Sequence, residues 1–81
     1  MAYFTLYSKE NCPPCQKILE FILPKLKNDN YLNVVKFQTT EETQEAFKKY
    51  NVSHVPFLVI NNKQVFEYVE IHRLFSCLGN N

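Results

Sequence analysis

The sequence has very little glycine, no tryptophan and almost no net charge. One Gly and four Pro among 81 residues leave no room for a flexible linker or a low-complexity segment. Nine basic and eight acidic residues give a formal net charge of +1, which offers no electrostatic basis for binding nucleic acid or an anionic membrane surface. This composition predicts a single domain over residues 1–81, and we expect a monomer.

Long apolar runs are also missing. No segment approaches the roughly 20 apolar residues that a membrane-spanning helix needs. The first seven residues lack a basic region and a small-residue cleavage site, so we do not expect a signal peptide. Three Cys are too few, and two of them too closely spaced, for the disulfide framework of a small secreted protein. These absences favour a cytoplasmic protein.

The residues that are present allow a packed core, since 46% are hydrophobic and 15% are aromatic. Apolar periodicity and turn residues predict four strands, at 3–7, 32–38, 57–60 and 64–69, and three helices, at 14–27, from Thr39 onward and at 71–78. The element order is β-α-β-α-β-β-α. We expect the first three strands to be parallel, through right-handed crossovers, and the fourth to form an antiparallel hairpin with the third.

Local signals sharpen these boundaries. Pro24 lies inside the first helical pattern, so it should kink that helix or end it early. Residues 28–30, Asn-Asp-Asn, form a turn cluster. Thr39 and Glu42 have the spacing of a capping box. The Asn61-Asn62 pair predicts the tight turn of the hairpin, because Asn tolerates positive φ better than most residues.

Two cysteines, Cys12 and Cys15, flank two prolines between a predicted strand and a predicted helix. A helix N-terminus carries a partial positive charge and unpaired N–H groups, and both stabilise a thiolate. At such positions the pKa of a cysteine can fall from about 8.5 into a range of roughly 3.5–7.5. Cys12, outside the helix and nearer to solvent, is the better nucleophile. Cys15, expected to be more buried, can then resolve a mixed disulfide.

Half of a zinc site is the alternative interpretation of this motif. Zinc needs four ligands, and the other candidates are Cys77, His54 and His72. The sequence contains no second Cys-x-x-Cys pair and no His-x-x-x-His pair, so we expect no metal. A buried structural thiol is the default interpretation of Cys77, and a regulatory thiol is the alternative.

Residues 7–15, Tyr-Ser-Lys-Glu-Asn-Cys-Pro-Pro-Cys, resemble the active-site segment of the glutaredoxins. Residues 49–60 resemble the helix-turn-strand segment that thioredoxins and glutaredoxins share, in which a Val-Pro or Ile-Pro pair precedes a buried strand. The resemblance covers roughly residues 2–69. It implies a thioredoxin fold, an α/β architecture in which three helices flank a four-stranded mixed sheet, and it implies a dithiol–disulfide oxidoreductase.

The same resemblance assigns further site residues. It implies that the peptide bond before Pro56 is cis and that the backbone of Val55 pairs with the substrate chain. It associates Lys9 with the thiolate and with the glycine carboxylate of glutathione. His54 stands where glutaredoxins usually carry Thr, so it is a candidate substrate contact. Pro13, which follows Cys12 in the motif, is the remaining candidate for binding substrate or glutathione.

One departure from the glutaredoxin pattern concerns glutathione. Glutaredoxins usually carry Gly-Gly and Asp before the last helix, whereas residues 66–71 here contain no Gly, and Glu67 and Glu70 add negative charge. The resemblance implies protein disulfides as substrates, ribonucleotide reductase among them, with either glutathione or a flavoprotein reductase as electron donor. It implies no tightly bound cofactor. An iron–sulfur cluster carrier with glutathione as a ligand is an alternative, which Pro13 disfavours.

Overall fold

The computed structural model describes residues 3–25 and 32–79, with side chains through residue 76. The elements are β1 Phe4–Lys9, α1 Pro13–Ile22, a 3-10 turn Leu23–Lys25, β2 Leu32–Phe37, α2 Thr40–Tyr50, β3 Phe57–Ile60, β4 Gln64–Glu67 and α3 Tyr68–Gly79. This order confirms the predicted β-α-β-α-β-β-α arrangement. Within these residues no helix has the length and apolar character needed to cross a bilayer.

The four strands form one mixed sheet in the order β2-β1-β3-β4. β1 pairs parallel to β2 and antiparallel to β3, and β3 pairs antiparallel to β4. The prediction that the first three strands are parallel was therefore wrong for β3. The helix α2 and the loop at 51–56 together return the chain to the end of the sheet where β2 finished, so β3 runs in the opposite direction. The hairpin of β3 and β4 is confirmed, and Asn61 and Asn62 form its turn at φ of 53° and 60°.

The first helix is shorter than the pattern indicated. α1 begins at Pro13, one residue before the predicted start, and ends at Ile22, followed by the 3-10 turn that contains Pro24. A proline cannot donate the N–H that would continue the α-helical ladder, so the prediction of an early end is confirmed. The turn expected at residues 28–30 lies outside the described part of the chain.

Hydrogen bonds satisfy backbone groups at both ends of the second helix. The hydroxyl oxygen of Thr39 accepts the N–H of Glu42 at 3.1 Å, as the capping box predicted. The carboxylate of Glu42 accepts the N–H of Gln38 at 3.2 Å, one residue before the cap. Asn51 ends the helix in the left-handed region, at φ 56°, and the N–H of Val52 then donates to the carbonyl of Phe47 at 3.0 Å.

The last strand ends two residues earlier than predicted, and the last helix begins three residues earlier. Residues 64–69 were expected to form a strand, but β4 ends at Glu67 and α3 begins at Tyr68. The carboxylate of Glu70 accepts the N–H of Glu67 at 3.0 Å, which satisfies an N–H group at the helix start. This local bond favours a helical turn where the alternating sequence suggested a strand.

The core has two parts, one on each face of the sheet. β3 is buried throughout, and its residues alternate between them. Leu58 and Ile60 belong to a cluster with residues of β1, α1 and α3, namely Leu6, Ile18, Ile22, Ile71 and Phe75. Phe57 and Val59 belong to a second cluster with Phe37, against which α2 packs. The sheet is thus covered by α1 and α3 on one face and by α2 on the other.

Candidate active site

The two cysteines lie at the junction between the central strand β1 and helix α1. Asn11 takes a positive φ of 54°, which turns the chain at the end of the strand. Cys12 is the extended N-cap of α1, at φ −120°, and its sulfur accepts the N–H of Cys15 at 3.3 Å. The carbonyl of Cys12 accepts the N–H of Gln16 at 3.1 Å. The helix start therefore presents a hydrogen-bond donor directly to the Cys12 sulfur.

Cys12 and Cys15 form a disulfide, with Cα atoms 5.3 Å apart. Cys12 is 5% exposed and Cys15 is 4% exposed. In this oxidised state the two cysteines are almost equally buried, so the expected greater exposure of Cys12 stays a prediction for the reduced protein. The disulfide and the hydrogen bond from the N–H of Cys15 hold the Cys12 sulfur against the first turn of α1, where both cysteines are buried.

The loop before β3 carries the second half of the site. The Val55-Pro56 peptide bond is cis, as the resemblance implied, and Pro56 is buried. Val55 and Pro56 line a groove of about 350 Å³ together with residues of α1 and α3, namely Pro13, Pro14, Lys17 and Tyr68. The groove therefore begins at the residue after Cys12 and runs between the two halves of the site.

A second groove continues from the same loop toward α3. It is lined by His54, Val55 and Pro56 on one side and by Glu67, Tyr68, Val69 and Glu70 on the other. Val69 is 59% exposed, and His54 is exposed with its Nδ1 2.9 Å from the hydroxyl of Ser53. Residues of the glycine-free segment at 66–71 thus form one wall of this groove.

Lys9 lies in a different place from the other predicted site residues. It is exposed and lines a separate cavity with Cys15, Gln16 and Lys36, among others, and not the groove of Val55 and Pro56. The structure therefore brings Pro13, Val55 and Pro56 into one groove, with His54 at its continuation.

Two residues of the groove beside Pro13 were not assigned to the site from the sequence, Pro14 and Lys17. Lys17 follows Pro13 by four residues, a spacing that places both on the same face of a helix, so it could have been found. Tyr68 belongs to the glycine-free segment that the sequence placed beside the ligand, but it was assigned to a strand, because its position depends on where α3 begins.

An aromatic cluster supports the loop from within the sheet. The ring of Tyr7 stacks on Phe57, the residue after Pro56, with centroids 4.8 Å apart, and its hydroxyl lies 3.1 Å from that of Tyr50. Burial raises the pKa of Tyr7 to about 12, with further contributions in the same direction from the hydrogen bond and the charge of Tyr50. Tyr7 therefore remains a neutral phenol at ordinary pH.

The two histidines considered as zinc ligands, His54 and His72, form no metal-binding group with the cysteines in the part of the chain that the structure describes. No group of three or more His, Cys, Asp or Glu side chains suited to a metal ion occurs in the described residues. His72 packs against the rings of Phe21 and Tyr68, at 4.7 and 4.9 Å between centroids. The side chain of Cys77 lies outside the described part, so its burial stays a prediction.

Comparison with known proteins gives one family match and two similar structures. A Nu-class GST from Haemonchus contortus is 19% identical, with a TM-score of 0.73 over 98% of this chain, and this chain spans 37% of that protein. A mutant of a thioredoxin-like protein is 20% identical, with a TM-score of 0.66 over the full length of both chains. At these identities the likeness concerns the fold.

No curated protein matched the sequence. A family model described as "Thioredoxin domain" matches residues 4–67, which include both cysteines, the cis-proline loop and all four strands. The match covers most of the sequence, and the sheet order and the disulfide at the start of α1 agree with it. The chain belongs to the thioredoxin domain family.

Proposed function

We propose that this protein is a dithiol–disulfide oxidoreductase of the glutaredoxin-like type. The observation that carries the proposal is the Cys12–Cys15 disulfide at the N-terminus of α1, with an N–H group donating to the Cys12 sulfur. Negative charge on that sulfur is favoured by the N–H group and by the helix dipole. The cis-Pro56 loop and the groove beside Pro13 provide a place for a polypeptide next to the reactive pair.

The reaction proceeds by two exchanges of thiol and disulfide. The Cys12 thiolate attacks one sulfur of a target disulfide, forms a mixed disulfide, and releases the other target sulfur as a thiolate, which takes up a proton. The Cys15 thiol loses its proton and attacks the Cys12 sulfur, which releases the second target thiolate and forms the Cys12–Cys15 disulfide. Two electrons and two protons pass to the target.

Glutathione is the first candidate electron donor, because residues 7–15 resemble the glutaredoxin active site. Val55 and Pro56 would hold the cysteinyl-glycine end of the tripeptide, with His54 nearby. Lys9 lines a separate cavity beside Cys15, so a glycine carboxylate bound by Lys9, as the resemblance implies, would have to extend beyond this groove. In this role glutathione is a co-substrate, and the protein carries no resident cofactor. Targets are protein disulfides or glutathione mixed disulfides, with ribonucleotide reductase as one acceptor by family analogy, and the protein acts as a cytoplasmic monomer.

A flavoprotein reductase is the second candidate donor, as for a thioredoxin. The observation that favours it is the wall of Glu67, Tyr68, Val69 and Glu70, which occupies the place where a glutaredoxin has glycines. Losing one charge-assisted contact to the ligand's carboxylate typically costs about 1.5–3 kcal/mol, or one to two orders of magnitude in affinity.

A coupled assay separates the two donors. The oxidised protein is supplied with NADPH and either glutathione with its reductase or thioredoxin reductase, and reduction of a protein disulfide is followed. Turnover with only one system identifies the donor. Absence of turnover with both systems, in protein whose disulfide dithiothreitol still reduces, would contradict the proposed function.

Iron–sulfur cluster transfer is the remaining alternative function. A reduced protein that stays colourless after reconstitution with iron and sulfide would exclude it.

A further inference from the structure

The groove that continues from the cis-proline loop toward α3 is acidic at its far end. Glu67 and Glu70 both line it, and both are exposed. Besides these two carboxylates, the titratable side chains that line the groove are His54 and the phenol of Tyr68. Lys17, on α1, lines the adjoining groove beside Pro13 and Pro14, which shares Val55, Pro56 and Tyr68 with this one. A chain that lies along both grooves therefore passes from a basic end near the cysteines to an acidic end at α3.

The start of α3 is already capped by this acidic pair. The carboxylate of Glu70 accepts the N–H of Glu67 at 3.0 Å. A carboxylate from a ligand would have to displace Glu70 from that N–H and would then lie beside the charges of both side chains. The helix N-terminus, normally favourable for anions, is for this reason a poor place for an anionic ligand here.

We propose that Glu67 and Glu70 select the substrate, favouring a polypeptide disulfide flanked by basic residues over acidic disulfides such as oxidised glutathione. The inference rests on the proposed function and names the substrate class of the same site. A lysine or arginine of the bound segment lies near the two carboxylates, while the apolar surface of Val55, Pro56 and Tyr68 contacts its backbone and neighbouring side chains.

Three peptide disulfides test the selection. They have equal length and carry Lys, Ser or Glu a few residues from the cysteine, in the part of the peptide that extends along the groove toward α3. Their reduction by the dithiol protein is followed in single turnover. Each rate is divided by the rate of the same peptide with dithiothreitol, a small thiol that attacks as a thiolate but has no groove of charged side chains, which removes the effect of the flanking charge on the disulfide itself. We expect the Lys peptide to react roughly tenfold faster than the Glu peptide, with the Ser peptide between them. The ratio should shrink as salt is added, because the charges are exposed.

The variant E70Q keeps an oxygen that can accept the N–H of Glu67 but removes one charge. We expect E70Q to lower the ratio of the Lys-peptide rate to the Glu-peptide rate to about threefold. The control E45Q, at an exposed position of α2, should leave this ratio unchanged. Equal normalised rates for the three peptides, or an unchanged ratio in E70Q, would overturn the inference. Failure of all three peptides to react would instead contradict the oxidoreductase function.

Discussion

At the scale of single residues, the two cysteines differ mainly in their relation to the helix. Cys12 is the N-cap residue and accepts an N–H group, whereas Cys15 lies inside the first turn. The sequence predicted this division from the position of the motif. It could not predict that Cys12 is as buried as Cys15 in the disulfide form, because exposure depends on how the oxidised sulfur packs against α1.

Cys12 should be the nucleophile of the reduced protein. After reduction, alkylation near neutral pH and peptide mapping should label Cys12 well before Cys15, because the N–H of residue 15 and the helix dipole stabilise the Cys12 thiolate. The denatured protein is the control, since its cysteines should react at similar rates. Equal or faster labelling of Cys15 in the folded protein would defeat the assignment.

Replacing Cys15 by Ser should stop the reaction after its first step. The C15S protein should form a stable mixed disulfide at Cys12 and lose dithiol turnover, because the resolving thiol is missing. Mass spectrometry detects the adduct, and insulin reduction measures turnover. C12S is the matched control and should form no such adduct by this route. Full-rate insulin reduction by C15S would show that Cys15 does not resolve the intermediate.

At the scale of elements, the starts and ends of the helices follow local rules better than the directions of the strands do. The Thr39 cap and the early end of α1 near Pro24 were predicted from a few neighbouring residues. The direction of β3 was not, because it depends on where the loop at 51–56 returns the chain. The start of α3 at Tyr68 was missed because Glu70 caps a turn whose sequence also suits a strand.

Removing the Thr39 cap should weaken α2 measurably. The T39A protein should lose about 1 kcal/mol of the free energy of unfolding, because the N–H of Glu42 loses its acceptor at the helix start. Urea denaturation followed by circular dichroism measures the change. T40A, at the first helical position, is the matched control and should change stability little. A T39A protein as stable as T40A would mean that the cap contributes nothing.

At the scale of the whole molecule, the aromatic cluster around Tyr7 connects β1, α2 and β3. The apolar pattern predicted the buried strand at 57–60 and the apolar face of α2. It could not predict that Tyr7 would stack on Phe57 and place its hydroxyl beside Tyr50, since these residues are far apart in the sequence. Because this environment raises the pKa of Tyr7, the free energy of unfolding should depend on pH in the alkaline range.

Alkali should destabilise the fold through Tyr7. The pKa of Tyr7 is raised to about 12 in the folded protein, against 10.0 as its ordinary value. Between these values the unfolded chain releases the proton while the folded protein retains it, so the free energy of unfolding falls as pH rises. Urea denaturation across this range should show a smaller fall for Y7F than for the wild type. Y3F, at an exposed position, should behave like the wild type, and an equal fall in all three would exclude Tyr7 as the cause.

Because of the strand order, some strands of the sheet should resist local opening more strongly than others. β1 is hydrogen-bonded on both sides, whereas β4 is a four-residue strand at the edge of the sheet. Amide hydrogens of β1 should therefore exchange with solvent far more slowly than those of β4. Cys12 follows the slowly exchanging strand, and the acidic wall of the groove lies at the junction of β4 and α3. The proposed nucleophile should thus be held firmly in place, while the surface proposed to contact the substrate should adjust its shape at a lower cost in free energy.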